Sequence, residues 1–101
     1  MPTLTPPQDC QSMQELRAQI DKLDRQLIEM LVTRAGYIDR ASLLKPGEGL
    51  PARIPERVEE VVQRVRASSG ELGMDPDLAE RLWRILIDWS IAREERVLGP
   101  D

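Results

Sequence analysis

From Met13 to Leu44, apolar side chains recur at spacings of three and four residues: Met13, Leu16, Ile20, Leu23, Leu27, Met30 and Leu31, Ile38, Ala41 and Leu44. This is the period of one helix face, held for about nine turns. Ser12-Met13-Gln14-Glu15 has the form of a capping box and sets the start. Pro46 and Gly47 predict a stop at about Leu44 or Lys45. A helix of about 33 residues is on the order of 50 Å long, against a radius of gyration of about 13 Å for a compact domain of this size. Two shorter helices are expected after a loop at 46–54. One spans about 55–68, with Val58, Val61, Val62 and Val65 as its stripe and Ser68-Ser69-Gly70 as its end. The other opens at Asp75-Pro76 and runs to about residue 97. Its core line is Leu78, Leu82, Ile85, Leu86 and Trp89, with Trp83, Ile87, Ser90 and Glu94 as a second line beside it. These two helices cannot cover the long stripe. The predicted fold is therefore all-α: three helices per chain in an intertwined antiparallel homodimer. An elongated monomeric hairpin with a frayed first helix is the alternative.

The 101 residues predict one helical domain over 12–101, preceded by an extended, poorly ordered lead at 1–11. Phe is absent, and Tyr37, Trp83 and Trp89 are the aromatic residues, so aliphatic side chains build the core. The net charge of −4 and the pI near 4.9 argue against binding to nucleic acid or an anionic membrane. No apolar run approaches the roughly 20 residues of a membrane span. The sequence MPTLTPPQDC lacks the basic and apolar regions of a signal peptide. A single cysteine, Cys10, fits a reducing cytoplasm. Histidine is absent, which removes the commonest general base and metal ligand. With one cysteine, a thiolate zinc site within one chain is also excluded, and chemistry must rest on Arg, Lys, Glu, Asp, Ser or Tyr.

Arg34 stands where the stripe calls for an apolar residue, and a cation there is costly unless an anion meets it. Lys45 follows by eleven residues, three turns plus about 20°, so both lie on one helix face about 16 Å apart. Two long cationic side chains leaning together can grip one small dianion. Arg17 precedes Arg34 by about 25 Å of helix. It can share such an anion only from the other chain of an antiparallel dimer. Each cation also has a plain structural reading. Arg17 can pair with Asp21 one turn on, Arg34 with a third-helix acid such as Glu94, and Lys45 can be a solvated lysine favoured by the helix C-terminus. Gly36 is a weak point in the first helix, open to close packing or to ligand approach. The loop at 46–54 is expected to close over the anion, in which case changing Gly47 and Gly49 to Ala alters turnover more than stability.

The segment Glu15-Leu16-Arg17-x-x-Ile20-Asp21-x-x-Asp24, then Leu31-x-x-Arg34, then Lys45, resembles the first helix of the all-helical (AroQ-class) chorismate mutases. Pro55-Glu56-Arg57 resembles the start of that family's second helix, and Ser90-x-x-x-Glu94 its third-helix S-x-x-x-Q or S-x-x-x-E. The match covers about residues 12–97. It implies conversion of chorismate to prephenate, a unimolecular Claisen rearrangement served by positioning and electrostatic stabilisation. By the family pattern, Arg17 of one subunit and Arg34 and Arg57 of the other hold the substrate carboxylates. Lys45 reaches the ether oxygen, Glu94 faces that oxygen from the other side, and Ser90 contacts a carboxylate or hydroxyl.

Three positions depart from the pattern. Glu94 stands where many members have glutamine. Ionised, it would repel the developing oxygen charge, so it has to be protonated to donate, and activity is expected to fall as pH rises. Val58 replaces a Glu that helps bind the substrate hydroxyl, and Ile54 replaces a frequent Asp, leaving that corner of the site apolar. The related isochorismate pyruvate-lyases are similar in Asp9-Cys10, in Tyr37 and in Pro55 to Val58, but usually keep the glutamine and lack the serine at position 90. Aminodeoxychorismate mutases pair Arg-Val with a third-helix acid. Outside enzymes, a non-catalytic helical dimer of the same fold accounts for the stripe but not for Arg34 within it.

Overall fold

The computed structural model describes residues 3–99. Residues 1 and 2 of the expected lead and 100 and 101 of the expected domain lie outside them. The described chain holds a short 3-10 turn, Pro7–Asp9, and three α-helices: α1 (Met13–Glu48), α2 (Pro55–Leu72) and α3 (Pro76–Leu98). It divides into two compact units, Met1–Gly36 and Tyr37–Asp101, with the boundary inside α1.

In the first unit, Ser12 Oγ accepts from Glu15 N at 3.1 Å, as a capping box requires. Glu15 Oε2 reaches back one residue further than usual, accepting from Gln11 N at 3.2 Å. The lead differs from the extended segment predicted. Thr5 N donates to Gln19 Oε1 at 2.9 Å, folding the lead onto α1. Leu4, Pro6, Pro7 and Cys10 face Leu16, Ile20 and Leu23 across a cleft of about 430 Å³. Much of the long stripe stays open within the chain: Ile20, Leu23, Leu27 and Leu31 are 44 to 50 % exposed.

Both predicted helix stops fall short. Proline disfavours helical backbone in the residue before it, yet α1 runs on through Pro46. Its end is a Schellman motif: Leu50 N donates to Lys45 O at 3.0 Å and Gly49 N to Pro46 O at 3.2 Å. Gly49 sits at φ 69°, in the left-handed region this motif needs. The expected loop at 46–54 therefore begins at Gly49. The second helix runs past Ser68-Ser69-Gly70, with Ser69 Oγ donating to Val65 O at 2.6 Å within it rather than capping its end. Its stop is again a Schellman motif, at Gly73 with φ 87°. α3 opens as predicted, with the Asp75 side chain accepting from Asp77 N and Pro76 in the first turn.

Gly47 thus belongs to the last turn of α1, and a methyl group added there would meet nothing within 4 Å, whereas Gly49 holds a positive φ. Gly47→Ala is expected to raise stability by up to about 1 kcal/mol. Gly49→Ala is expected to lower it by about 1–2 kcal/mol. Urea melts of the two variants check the opposite signs. A drop in turnover with Gly49→Ala at an unchanged melt would return this segment to a closing role.

In the second unit, α2 and α3 form an antiparallel hairpin. Val62, Ile87 and Ile91 are buried between them with Ala52 from the preceding segment, and Val58, Val61, Trp83 and Leu98 pack against this cluster. Arg84 pairs with Glu59 and Glu80, and Arg66 with Asp77 and Glu80, lacing the rim. The α3 face differs from the one expected. Leu78, Leu82, Ile85 and Trp89 are 43 to 68 % exposed. The second line instead faces inward: Ile87, Ser90 and Glu94 are buried, together with Ala79 and Ile91. The valine stripe of α2 admits one α3 stripe, and the one it takes carries the two polar residues.

Candidate functional site

Two of the candidate residues meet on the inward face of the second unit. Lys45, in the last turn of α1, directs an N–H to Ala52 O at 2.8 Å and stands 2.7 Å from Oε1 of Glu94 on α3. The lysine and glutamate side chains are 17 and 5 % exposed. Glu94 Oε1 accepts no aligned hydrogen bond among the described residues. The contact is one of charge, while the directed donor of Lys45 goes to Ala52. A buried ion pair without aligned hydrogen bonds recovers its desolvation cost poorly. An incoming anion that offers the ammonium a well-placed oxygen therefore competes on good terms. The reading of Lys45 as a solvated C-terminal lysine is corrected here: α3 and the segment before α2 close over it. The third-helix acid offered to Arg34 as a partner, Glu94, is paired with Lys45.

Ser90 lies one helical turn before Glu94 on the same face of α3, 3 % exposed, and its Oγ donates to Leu86 O at 2.7 Å. Val58, in the first turn of α2, packs against the Val62 and Ile91 cluster. Arg57 beside it is exposed and donates to Glu60 Oε1 one turn on. Ile54 is the N-cap of α2 and makes no side-chain capping bond. An Asp at this position would accept from the first turn; Ile cannot.

Arg17 and Arg34 belong to the first unit. Arg17 is exposed. Arg34 is half-buried, and burial pushes its guanidinium below the usual range. It remains charged, since arginine does not release its proton in proteins. Arg34 follows Arg17 by 17 positions, about 25 Å along one helix.

Two residues outside the expected set join the neighbourhood of Lys45. Arg93, next to Glu94, grips Asp39 of α1 with both ends of its fork, Nε to Oδ1 at 2.5 Å and Nη2 to Oδ2 at 2.9 Å. The Arg93 hydrogen bonds hold the Asp39 carboxyl below its ordinary range and raise the guanidinium. The guanidinium carbon also lies 5.3 Å from the centre of the Trp89 ring. In sequence the two are ordinary surface charges 54 positions apart, and no local pattern pairs them.

No helix among the described residues is long and apolar enough to cross a membrane. The family model described as chorismate mutase type II matches residues 16–95. The isochorismate pyruvate lyase of Pseudomonas aeruginosa is 33 % identical over 89 residues, covering 87 % of this chain and 86 % of the relative. The chorismate mutase of Methanocaldococcus jannaschii is 24 % identical over 88 residues, covering 87 and 89 %. The T-protein of Haemophilus influenzae is 31 % identical over 86 residues; these are 85 % of this chain but only 23 % of that longer protein.

Proposed function

The chain belongs to the type II chorismate mutase family, and on that premise we propose that it rearranges chorismate to prephenate in a site shared between two subunits. The observation that carries this reading is the buried pair of Lys45 and Glu94 with Ser90 one turn away. In the rearrangement one C–O bond breaks and one C–C bond forms within a single molecule. Negative charge grows on the ether oxygen as the bond lengthens. A lysine in a water-poor site, already aimed at an oxygen, suits that charge. Lys45 then exchanges Glu94 for the substrate, and Glu94, once protonated, donates from the opposite side. By the family pattern Arg34, Arg57 and the partner subunit's Arg17 hold the two carboxylates, for which a planar fork is well shaped. Ser90 takes a carboxylate or hydroxyl oxygen. No group in this scheme needs histidine, a metal or a cofactor.

A second copy of the chain has a role that the exposed stripe supports. Leu23, Leu27 and Leu31 at 44 to 50 % exposure are costly to leave in water. An antiparallel partner covers them and supplies Arg17. Sedimentation of the purified chain is expected to give twice the 11.5 kDa monomer mass.

The second reading is isochorismate pyruvate-lyase. It is favoured by the 33 % identity to the Pseudomonas enzyme over nearly its whole length and by Val58, an apolar residue packed on the Val62 and Ile91 cluster where the family pattern has a hydroxyl-binding Glu. Ser90 and Glu94 favour the mutase. Supplying chorismate and isochorismate side by side separates the two. Loss of chorismate absorbance with prephenate formed supports the mutase, and pyruvate release from isochorismate supports the lyase. Turnover of neither by an intact dimer would leave a structural protein of this fold.

A further inference from the structure

In the second unit, the contacts of α1 with α3 include two ion pairs, from Asp39 and Lys45. Asp39, Ser42 and Lys45 follow one another at intervals of three residues; Ser42 is 4 % exposed and donates to Asp39 O at 2.7 Å. The two ion pairs reach consecutive residues of α3: Asp39 to Arg93 and Lys45 to Glu94. They differ in what a ligand does to them. The Lys45–Glu94 contact lies where the substrate anion is proposed to bind, and it opens when Lys45 turns to that anion. The Asp39–Arg93 pair is half-exposed, 52 and 37 % at its side chains, and neither residue is assigned to the anion. It is bidentate, so its two parallel hydrogen bonds fix orientation as well as distance. The Trp89 ring supports the guanidinium from its own helix at 5.3 Å. Asp39 precedes Lys45 by about 9 Å of helix, and Arg93 adjoins Glu94. A shift at the outer pair is therefore passed to the inner one through short, rigid stretches of helix.

We infer that Asp39 and Arg93 are positioning residues: their bidentate pair holds α3 against α1 so that Lys45 and Glu94 keep their facing geometry after the substrate has separated them. Neither touches the reacting atoms. This rests on the mutase reading above. Because the carboxylates are assigned to Arg17, Arg34 and Arg57, loosening the clamp misplaces the groups that face the ether oxygen more than the groups that hold the substrate. The loss falls on kcat and largely spares KM, and misplacement of about 1 Å is enough to matter at the level of one to two orders of magnitude.

The test uses the full-length chain and chorismate, with kcat, KM and the melting temperature read for wild type, Asp39→Asn, Arg93→Gln, Arg93→Lys and the exchanged pair Asp39→Arg/Arg93→Asp. The two neutral variants are expected to lose about tenfold in kcat with KM within about twofold. Arg93→Lys, which keeps the charge but not the fork, is expected to fall between. The exchanged pair is expected to recover to within about threefold of wild type, because a fork facing a carboxylate is restored in reverse. Single variants with unchanged kcat overturn the clamp, as does a loss that follows melting temperature alone or an exchanged pair no better than the singles. A wild type that turns over neither chorismate nor isochorismate overturns the underlying reaction instead. An active wild type with undiminished variants overturns only the positioning role.

Discussion

Lys45→Met is expected to lower kcat by about 10²–10³-fold, the effect of removing one donor aimed at a developing oxygen charge. It is also expected to destabilise the fold, for a separate reason. Glu94 is 4 % exposed, and Lys45 is the cation beside it. Taking away one partner of a buried pair leaves an uncompensated charge, at a cost of about 3–5 kcal/mol if the survivor stays ionised. The two effects separate in the double variant Lys45→Met/Glu94→Gln. Its amide carries no charge to strand, so most of the stability is expected to return while turnover does not. Thermal melts and chorismate assays on the three proteins check this. Turnover within tenfold of wild type in Lys45→Met would remove the ammonium from the reaction. Recovery of activity in the double variant would show that Lys45 matters only for holding the fold.

Helix existence was legible because it depends on neighbours in the chain. The Ser12 to Glu15 box, Pro55 and Asp75-Pro76 each solve a local problem of unpaired backbone groups, and each opens a helix where expected. The stops were less legible. Pro46 and Ser68-Ser69-Gly70 look like breakers, but the backbone closes at Gly49 and Gly73, where a left-handed residue lets two orphan carbonyls be paired. Which apolar line of α3 faces inward was beyond periodicity. Leu78, Leu82, Ile85 and Trp89 are as regular as Ala79, Ile87 and Ile91, and what separates them is tertiary packing, in which Ile87 and Ile91 meet Val62 and Ala52. An exposed regular line is then informative in another way, as surface awaiting a partner. For the candidate site, Lys45 and Glu94 were found by spacing and resemblance. Their burial was not, because it depends on Ala52 and on the approach of α3. Asp39 and Arg93 gave no signal at all: a pair 54 residues apart exists only through the register of two helices.

The substitution that bears most directly on the chemistry is Glu94→Gln. Without substrate, Glu94 is the anion on Lys45. In the proposed reaction Lys45 is drawn to the ether oxygen. An ionised Glu94 is then a buried carboxylate without its cation, beside a second growing negative charge. A proton turns the repelling acceptor into a donor, so the protonated enzyme is the active one. Wild-type turnover is therefore expected to be greatest at the acid end of the range in which the fold persists. As pH rises it should decline, by about tenfold per unit once the limiting proton is lost. The glutamine amide supplies the same donor with no proton to lose. Glu94→Gln is expected to hold a nearly level rate from about pH 5 to 9 and to exceed wild type at the alkaline end. It keeps an acceptor oxygen for Lys45 but removes that ammonium's counter-charge, so the variant is expected to melt below wild type, by less than Lys45→Met because Lys45 is the more exposed partner and keeps its bond to Ala52 O. Profiles of kcat for the two proteins, in buffers of constant ionic strength, decide the matter. Level profiles in both would place the second donor elsewhere. A decline of equal steepness in both would assign the titration to another group. Only a slope present in wild type and absent in the variant places the proton on Glu94.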